Sequence, residues 1–222
     1  MELINRAELE RKLARVLGRD LRAELVILMD HLGDPPDMAN IPSAYWTSGW
    51  RNIQKDVEPI LLGIYLQQAD GLMTNVSIGV DWDAINTTAS RWAGQHTEEI
   101  LYKLFETRYE HLNETIPRFY EEGWTIGDLQ ENLSEWYDPV KAEMISITET
   151  TRAAVEGERG TVEQLMQETG IQMIPYWITS NDSRVCPICM ERDGKPITDG
   201  VFPPLHPRCN CDVRWDYAER LT

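Results

Sequence analysis

Every cysteine of this chain falls within 26 residues near its C-terminal end. The stretch opens with Val185-Cys186-Pro187-Ile188-Cys189, continues through Asp193-Gly194-Lys195, and closes with Pro203-Pro204-Leu205-His206-Pro207-Arg208-Cys209-Asn210-Cys211. The spacing is C-x2-C, sixteen residues, then H-x2-C-x-C. Cys186, Cys189, His206, Cys209 and Cys211 are five thiol or imidazole donors in two clusters, and structural Zn2+ takes four. A C-x2-C turn lets both sulfurs face one ion, so Cys186 and Cys189 supply one edge of a tetrahedron. Two of His206, Cys209 and Cys211 close it. Residues 176–222 contain few large aliphatics and cannot bury much core. A metal staple supplies the missing stability in small modules of this kind. The expectation is a small C-terminal β-hairpin module held by zinc.

Two other uses of these cysteines compete with metal binding. A disulfide pair suits an oxidising compartment, but the N-terminus Met1-Glu2-Leu3-Ile4-Asn5-Arg6 has no apolar signal core, which predicts synthesis in a cytoplasm where thiols stay reduced. A thiol redox site is suggested by Cys186-Pro187-Ile188-Cys189, similar to the active-site tetrapeptide of glutaredoxins. That chemistry needs a strand before the pair and a helix N-terminus after it, to lower the thiol pKa. Asp193-Gly194 instead reads as a hairpin turn, between strands at about 184–190 and 195–198. The metal reading is therefore preferred.

The same region carries a family resemblance. Tyr176-Trp177-Ile178-Thr179-Ser180, Asp182, the cysteine pair, Asp193-Gly194-Lys195, Pro204 and His206-Pro207-Arg208-Cys209-Asn210-Cys211 resemble the C-terminal signature of the phage head morphogenesis family, the Mu F-like minor head proteins. The run Met144-Ile145-Ser146-Ile147-Thr148-Glu149-Thr150-Thr151-Arg152-Ala153 resembles the helix before that signature. The resemblance covers about residues 140–215. It implies a structural minor capsid protein of the virion, located in the head interior or at the portal vertex. It would join the procapsid, contact the portal protein and the major capsid or scaffold protein, and aid DNA delivery.

Upstream, the pattern is helical. Residues 7–32 repeat Leu9, Leu13, Val16, Leu17, Leu21, Leu25 and Leu28 at helical spacing, until Gly33-Asp34-Pro35-Pro36 stops them. A loop at 34–44 precedes a helix at about 45–74, which Pro59 should kink or restart. After a break at 75–80, Asp81 or Asp83 caps a third helix bearing Ile85, Ala89, Trp92, Ala93, Ile100 and Leu104. A separate helix at 113–122 ends at Gly123, and Thr125 with Asp128 forms a capping pair for 126–136. Asp138-Pro139 starts a helix to about 156; Gly157 and Gly160 break it from one at 161–169. Ile171 to Ile178 turns to strand, and Val213 with Trp215 gives a last short strand. The fold class is α+β and predominantly α-helical. The expected division is a helical body at 1–138 and a head-morphogenesis-like domain at 139–222, with helices at 139–169 and the Cys/His module at 176–222.

Charge narrows the function. The net charge is -16, and residues 176–222 hold seven acids and six bases, so nearly all of the excess lies upstream. An acidic body repels phosphate backbones, so duplex DNA binding should be weak or confined to the module. The alternative, a zinc-ribbon nucleic-acid-binding module, has only Arg184, Arg192, Lys195, Arg208, Arg214 and Arg220 for a basic face. No apolar run reaches 18 residues, so no membrane span is predicted. Phosphate loops, dinucleotide fingerprints, H-E-x-x-H and nucleophile elbows are all absent, so the chain reads as a non-enzyme. Glu149 is read as structural, hydrogen bonding toward Asp182. His31, His96 and His111 are read as packed side chains. Trp46, Trp50, Trp82 and Trp124 are candidate anchors for a portal partner.

Overall fold

A computed structural model describes residues 5–74, 79–183 and 185–218. The chain is mostly helix with one small antiparallel sheet, as the sequence pattern predicts. In order come α1 (Arg6–Leu32), a 3-10 turn (Met38–Asn40), α2 (Ser43–Ser48), α3 (Arg51–Thr74), α4 (Trp82–Glu122), α5 (Ile126–Ser134), a second 3-10 turn (Glu135–Tyr137), α6 (Pro139–Thr169), β1 (Met173–Ile178), α7 (Pro187–Arg192) and β2 (Asp212–Tyr217). The starts follow from side-chain caps. Asp81 Oδ1 accepts from the N–H groups of Asp83 and Ala84 at 3.0 and 3.2 Å, so Asp81 caps α4. Thr125 and Asp128 form a reciprocal capping box. Asp138 Oδ1 accepts from Val140 N–H at 2.7 Å ahead of Pro139.

Several expected breaks are not there. Pro59 lies inside an unbroken α3, and the helix restarts at Gly49 and Trp50 instead. The two helices expected around 82–122 are one 41-residue helix that passes through Pro117. The loop at 34–44 contains the first 3-10 turn and the start of α2. Of the break expected at 75–80, residues 75–78 lie outside the described residues. The expected pause at Gly157 and Gly160 is also absent, since α6 runs 31 residues through both. Their reason is packing. A Cβ on Gly157 would strike the backbone carbonyl of Tyr65, and one on Gly160 would strike the Tyr65 hydroxyl. Glycine here admits a neighbouring helix and does not end its own.

The chain divides into two compact units, each assembled from separated stretches. The first holds Met1–Arg11, Pro59–Ala93 and Met144–Thr222; the second holds Lys12–Glu58 and Gly94–Glu143. The first unit buries Tyr65, Ala69, Ile85 and Ala89, with Trp92 packed against them. In the second, Leu13, Leu21, Phe105, Leu112 and Leu129 are buried. Arg108 lies buried there between aromatic rings, 4.1 Å from the centre of Tyr137 and 5.3 Å from that of Phe105. His31 meets the Tyr45 ring edge at 5.8 Å, and His111 lies 4.3 Å from the Trp136 ring. Both are packed side chains, as expected.

The sheet differs most from the sequence reading. β1 pairs antiparallel with β2, with Met173 opposite Tyr217 and Ile178 opposite Asp212. Of the residues expected as a strand at 184–190, 187–190 instead belong to α7, and 184 lies outside the described residues. Asp193-Gly194 does turn the chain, with Gly194 at φ +70, but it turns from a helix back onto β1. Trp177 N–H donates to Lys195 O at 2.9 Å, Gly194 N–H to Trp177 O at 2.8 Å, and Ile197 N–H to Pro175 O at 2.8 Å. The segment 194–197 thus covers the edge of β1 that β2 leaves open.

Candidate metal centre

The five predicted donors converge. Cys186 is the N-cap of α7, with Pro187 in the first turn, and its sulfur accepts from Cys189 N–H at 3.4 Å. One turn of helix therefore puts both thiols on the same side. A short helix, and not a hairpin, holds the pair; it starts at Cys186 and contains Cys189. Cys189 is 1% exposed. Its sulfur lies 3.3 Å from His206 Nε2 and 3.8 Å from Cys209 Sγ. His206 Nε2 also lies 3.1 Å from Cys186 Sγ. Cys186, Cys189 and His206 form one mutually close group, and Cys189, Cys209 and Cys211 form another. Cys189 belongs to both.

The orientation of His206 is set locally. Its Nδ1 lies 2.8 Å from the Pro207 carbonyl, which can only accept. Nδ1 therefore carries the proton, and Nε2 presents its lone pair to the two thiols. The turn that places Cys209 closes with Cys209 N–H donating to His206 O at 3.1 Å, with Arg208 at φ +60.

Helix α6 fixes this turn from outside. Thr148 Oγ1 accepts from Arg208 N–H at 2.9 Å, and its own proton goes to Met144 O at 2.7 Å. Thr151 Oγ1 donates to Cys209 O at 2.7 Å and accepts from the Arg6 guanidinium. The two threonines are three residues apart on one helix face. The sequence analysis does not single them out. Their i, i+3 spacing inside the family-like run was the available signal. Glu149, one residue away, accepts from Arg152 at 3.3 Å.

The donor set suits a soft cation. All four cysteines are free. A tetrahedron with arms of about 2.3 Å has sulfur–sulfur edges of about 3.8 Å, the Cys189–Cys209 separation found here. The lining of Cys186, Cys189, His206, Cys209 and Cys211 encloses about 10 Å³, room for one small ion and not for an organic ligand. The thiols also unbalance one another. Burial pushes Cys189 up to about 12, while the Cys211 hydrogen bond pulls Cys209 down to about 5. The Cys189 N–H lowers Cys186, and the Pro207 carbonyl raises His206. A bound cation would favour deprotonation of every ligating thiol. Trp177 packs on Cys189, Cys209 and Cys211 and closes the centre from β1.

The basic face needed for nucleic-acid binding is depleted. Arg192 pairs with Asp199 at 2.9 Å and Arg214 with Asp216 at 3.0 Å, while Arg184 and Arg220 lie outside the described residues. Of the four tryptophans proposed as anchors, Trp50 is 4% exposed and belongs to the core. No helix among the described residues is long and apolar enough to cross a membrane. No curated protein and no solved structure matches the chain. Residues 110–214, from the second half of α4 through α6 and the Cys/His centre into β2, match the family model described as Phage Mu protein F like protein.

Proposed function

We propose that the chain is a minor head protein of a phage, a structural part of the virion that acts in head assembly by binding other head proteins and not by turning over a substrate. The observation that carries this reading is the family match, which takes in all five Cys/His donors and the helix that fixes them. Within the head, the partner we favour is the portal protein, with the major capsid or scaffold protein as further contacts and a role in DNA delivery from the portal vertex. Functionally, we divide the chain into a helical body at 1–138 and a head-morphogenesis-like domain at 139–222. Co-expression with the portal protein of the same genome tests this. Co-migration on a sizing column supports it; a portal that never retains the chain, together with purified virions that lack it, sinks it.

The centre is proposed to hold one Zn2+ through Cys186, Cys189 and two of His206, Cys209 and Cys211. Zinc would supply folding free energy to a module whose own core is small. Elemental analysis of reduced protein should find about one zinc per chain. A value near zero with all thiols titratable ends the metal reading. One observation favours a redox site instead, since Cys186 caps α7. Its would-be partner Cys189 is buried against three other donors, which suits a ligand better. Turnover in a thiol–disulfide exchange assay would reverse that preference.

A further inference from the structure

Within the second unit, α4 turns one face inward and leaves a row of aromatics on the other. Tyr102, Tyr109 and Tyr120 are 54%, 47% and 55% exposed. At 3.6 residues per turn, Tyr109 lies about 20° and Tyr120 about 0° from Tyr102 around the helix, so the three form one line about 27 Å long. Glu106 and Asn113 lie between them on the same line. Single exposed hydrophobics are ordinary, but an aligned row is not. Two of the rings are already held in place. Tyr109 packs edge-on against Trp46 at 5.0 Å, and the Tyr120 hydroxyl donates to Pro36 O at 2.8 Å. A partner would therefore lose little side-chain entropy in binding them.

Charge identifies what fits. Residues 98–122 carry seven glutamates against Lys103, Arg108 and Arg118. Arg108 is buried, Lys103 pairs with Glu99, and Arg118 pairs with Glu122. Glu98, Glu106, Glu110, Glu114 and Glu121 are left without a salt bridge among the described residues. This flank repels nucleic acid, an anionic membrane and a second copy of a chain whose net charge is -16. It attracts lysine and arginine, and guanidinium groups also stack on tyrosine faces. A helix of about 18 residues spans the row.

We propose that the Tyr102–Tyr109–Tyr120 row of α4 is the docking face for a basic helix of another head protein. The inference rests on the head-protein reading above. The test places a photo-crosslinking phenylalanine analogue at 102, 109 or 120 of the full chain in infected cells, with position 26 as control, since Val26 is 69% exposed on α1. The expected result is that all three positions, and not the control, capture one segment of one other head protein, and that this segment is net basic. Glu106→Lys with Glu110→Lys should cut the yield about ten-fold while the melting temperature holds. Crosslinks that scatter, that reach an acidic segment, nucleic acid or a second copy of this chain, or that do not exceed the control overturn the docking face. If the chain is present in purified heads, such a result leaves the head-protein reading standing. Absence of the chain from heads removes both.

Discussion

Thr151 shares its one proton between the carbonyl of a candidate ligand, Cys209, at 2.7 Å and that of Ile147 at 3.1 Å, while accepting from Arg6. Thr151→Val keeps the shape and removes both roles. Outer-shell groups of this kind usually change metal affinity about 10–100-fold. Thr151→Val should therefore release zinc to a competing chelator at correspondingly lower chelator strength, and Thr151→Ser should retain it. Equal retention by all three proteins would show that the turn holds itself. A second residue-scale expectation concerns Glu158 in α6. Burial, then the nearby Asp212, raises its carboxyl from 4.5 to about 7, although Gln68 donates a hydrogen bond to it. Between those values the folded chain binds more protons here than the unfolded chain, so this group makes stability fall as pH rises through the window. Glu158→Gln should shrink the drop in melting temperature between about pH 5 and about pH 8. An unchanged drop would assign the pH dependence to other groups.

At the scale of elements, α6 organises the first unit. Its glycines face Tyr65 of α3, and its threonines hold the Cys209 turn. Gly→Ala inside a helix ordinarily gains about 0.5–1 kcal/mol. At Gly157 the new methyl would meet the Tyr65 backbone carbonyl, which cannot yield without moving α3. Gly157→Ala should instead lose about 1–3 kcal/mol, as overpacking does, and thermal unfolding reads the sign directly. The module is held differently. Cys189 belongs to both groups of donors, so Cys189→Ser removes a ligand in either arrangement. Limited proteolysis of that variant should cut near residue 175 and leave a resistant helical fragment. A digestion pattern like that of the parent would mean the module stands without a metal staple.

At the scale of the whole molecule, the excess of acidic charge sets which partners are open to it. Phosphate backbones are disfavoured, and basic protein surfaces are favoured. Particles assembled without this chain should still form shells but yield fewer infectious virions. Normal infectivity in its absence, or tight duplex binding by the isolated protein at physiological salt, would remove the assembly role.

The sequence by itself determined what depends on neighbours along the chain. The apolar repeat of α1, the Thr125/Asp128 capping box, the Asp138-Pro139 start and the aliphatic and aromatic run at β1 are local patterns with local causes. The Cys/His spacing likewise announced five donors, because C-x2-C and H-x2-C-x-C each describe a single turn. What only the tertiary structure decided are the points where a distant group changes the meaning of a residue. Gly157 and Gly160 read as breaks until Tyr65 is seen to fill their place, and Asp193-Gly194 reads as a hairpin until the chain folds back onto β1. Trp50 reads as a possible anchor until it is buried, while the tyrosines of α4 become candidates only once their exposure is known. The turn that carries Cys209 is fixed by two hydroxyls some sixty residues earlier in the chain. A propensity acts over a few residues; a buried hydrogen bond or a steric contact depends on what the fold brings together.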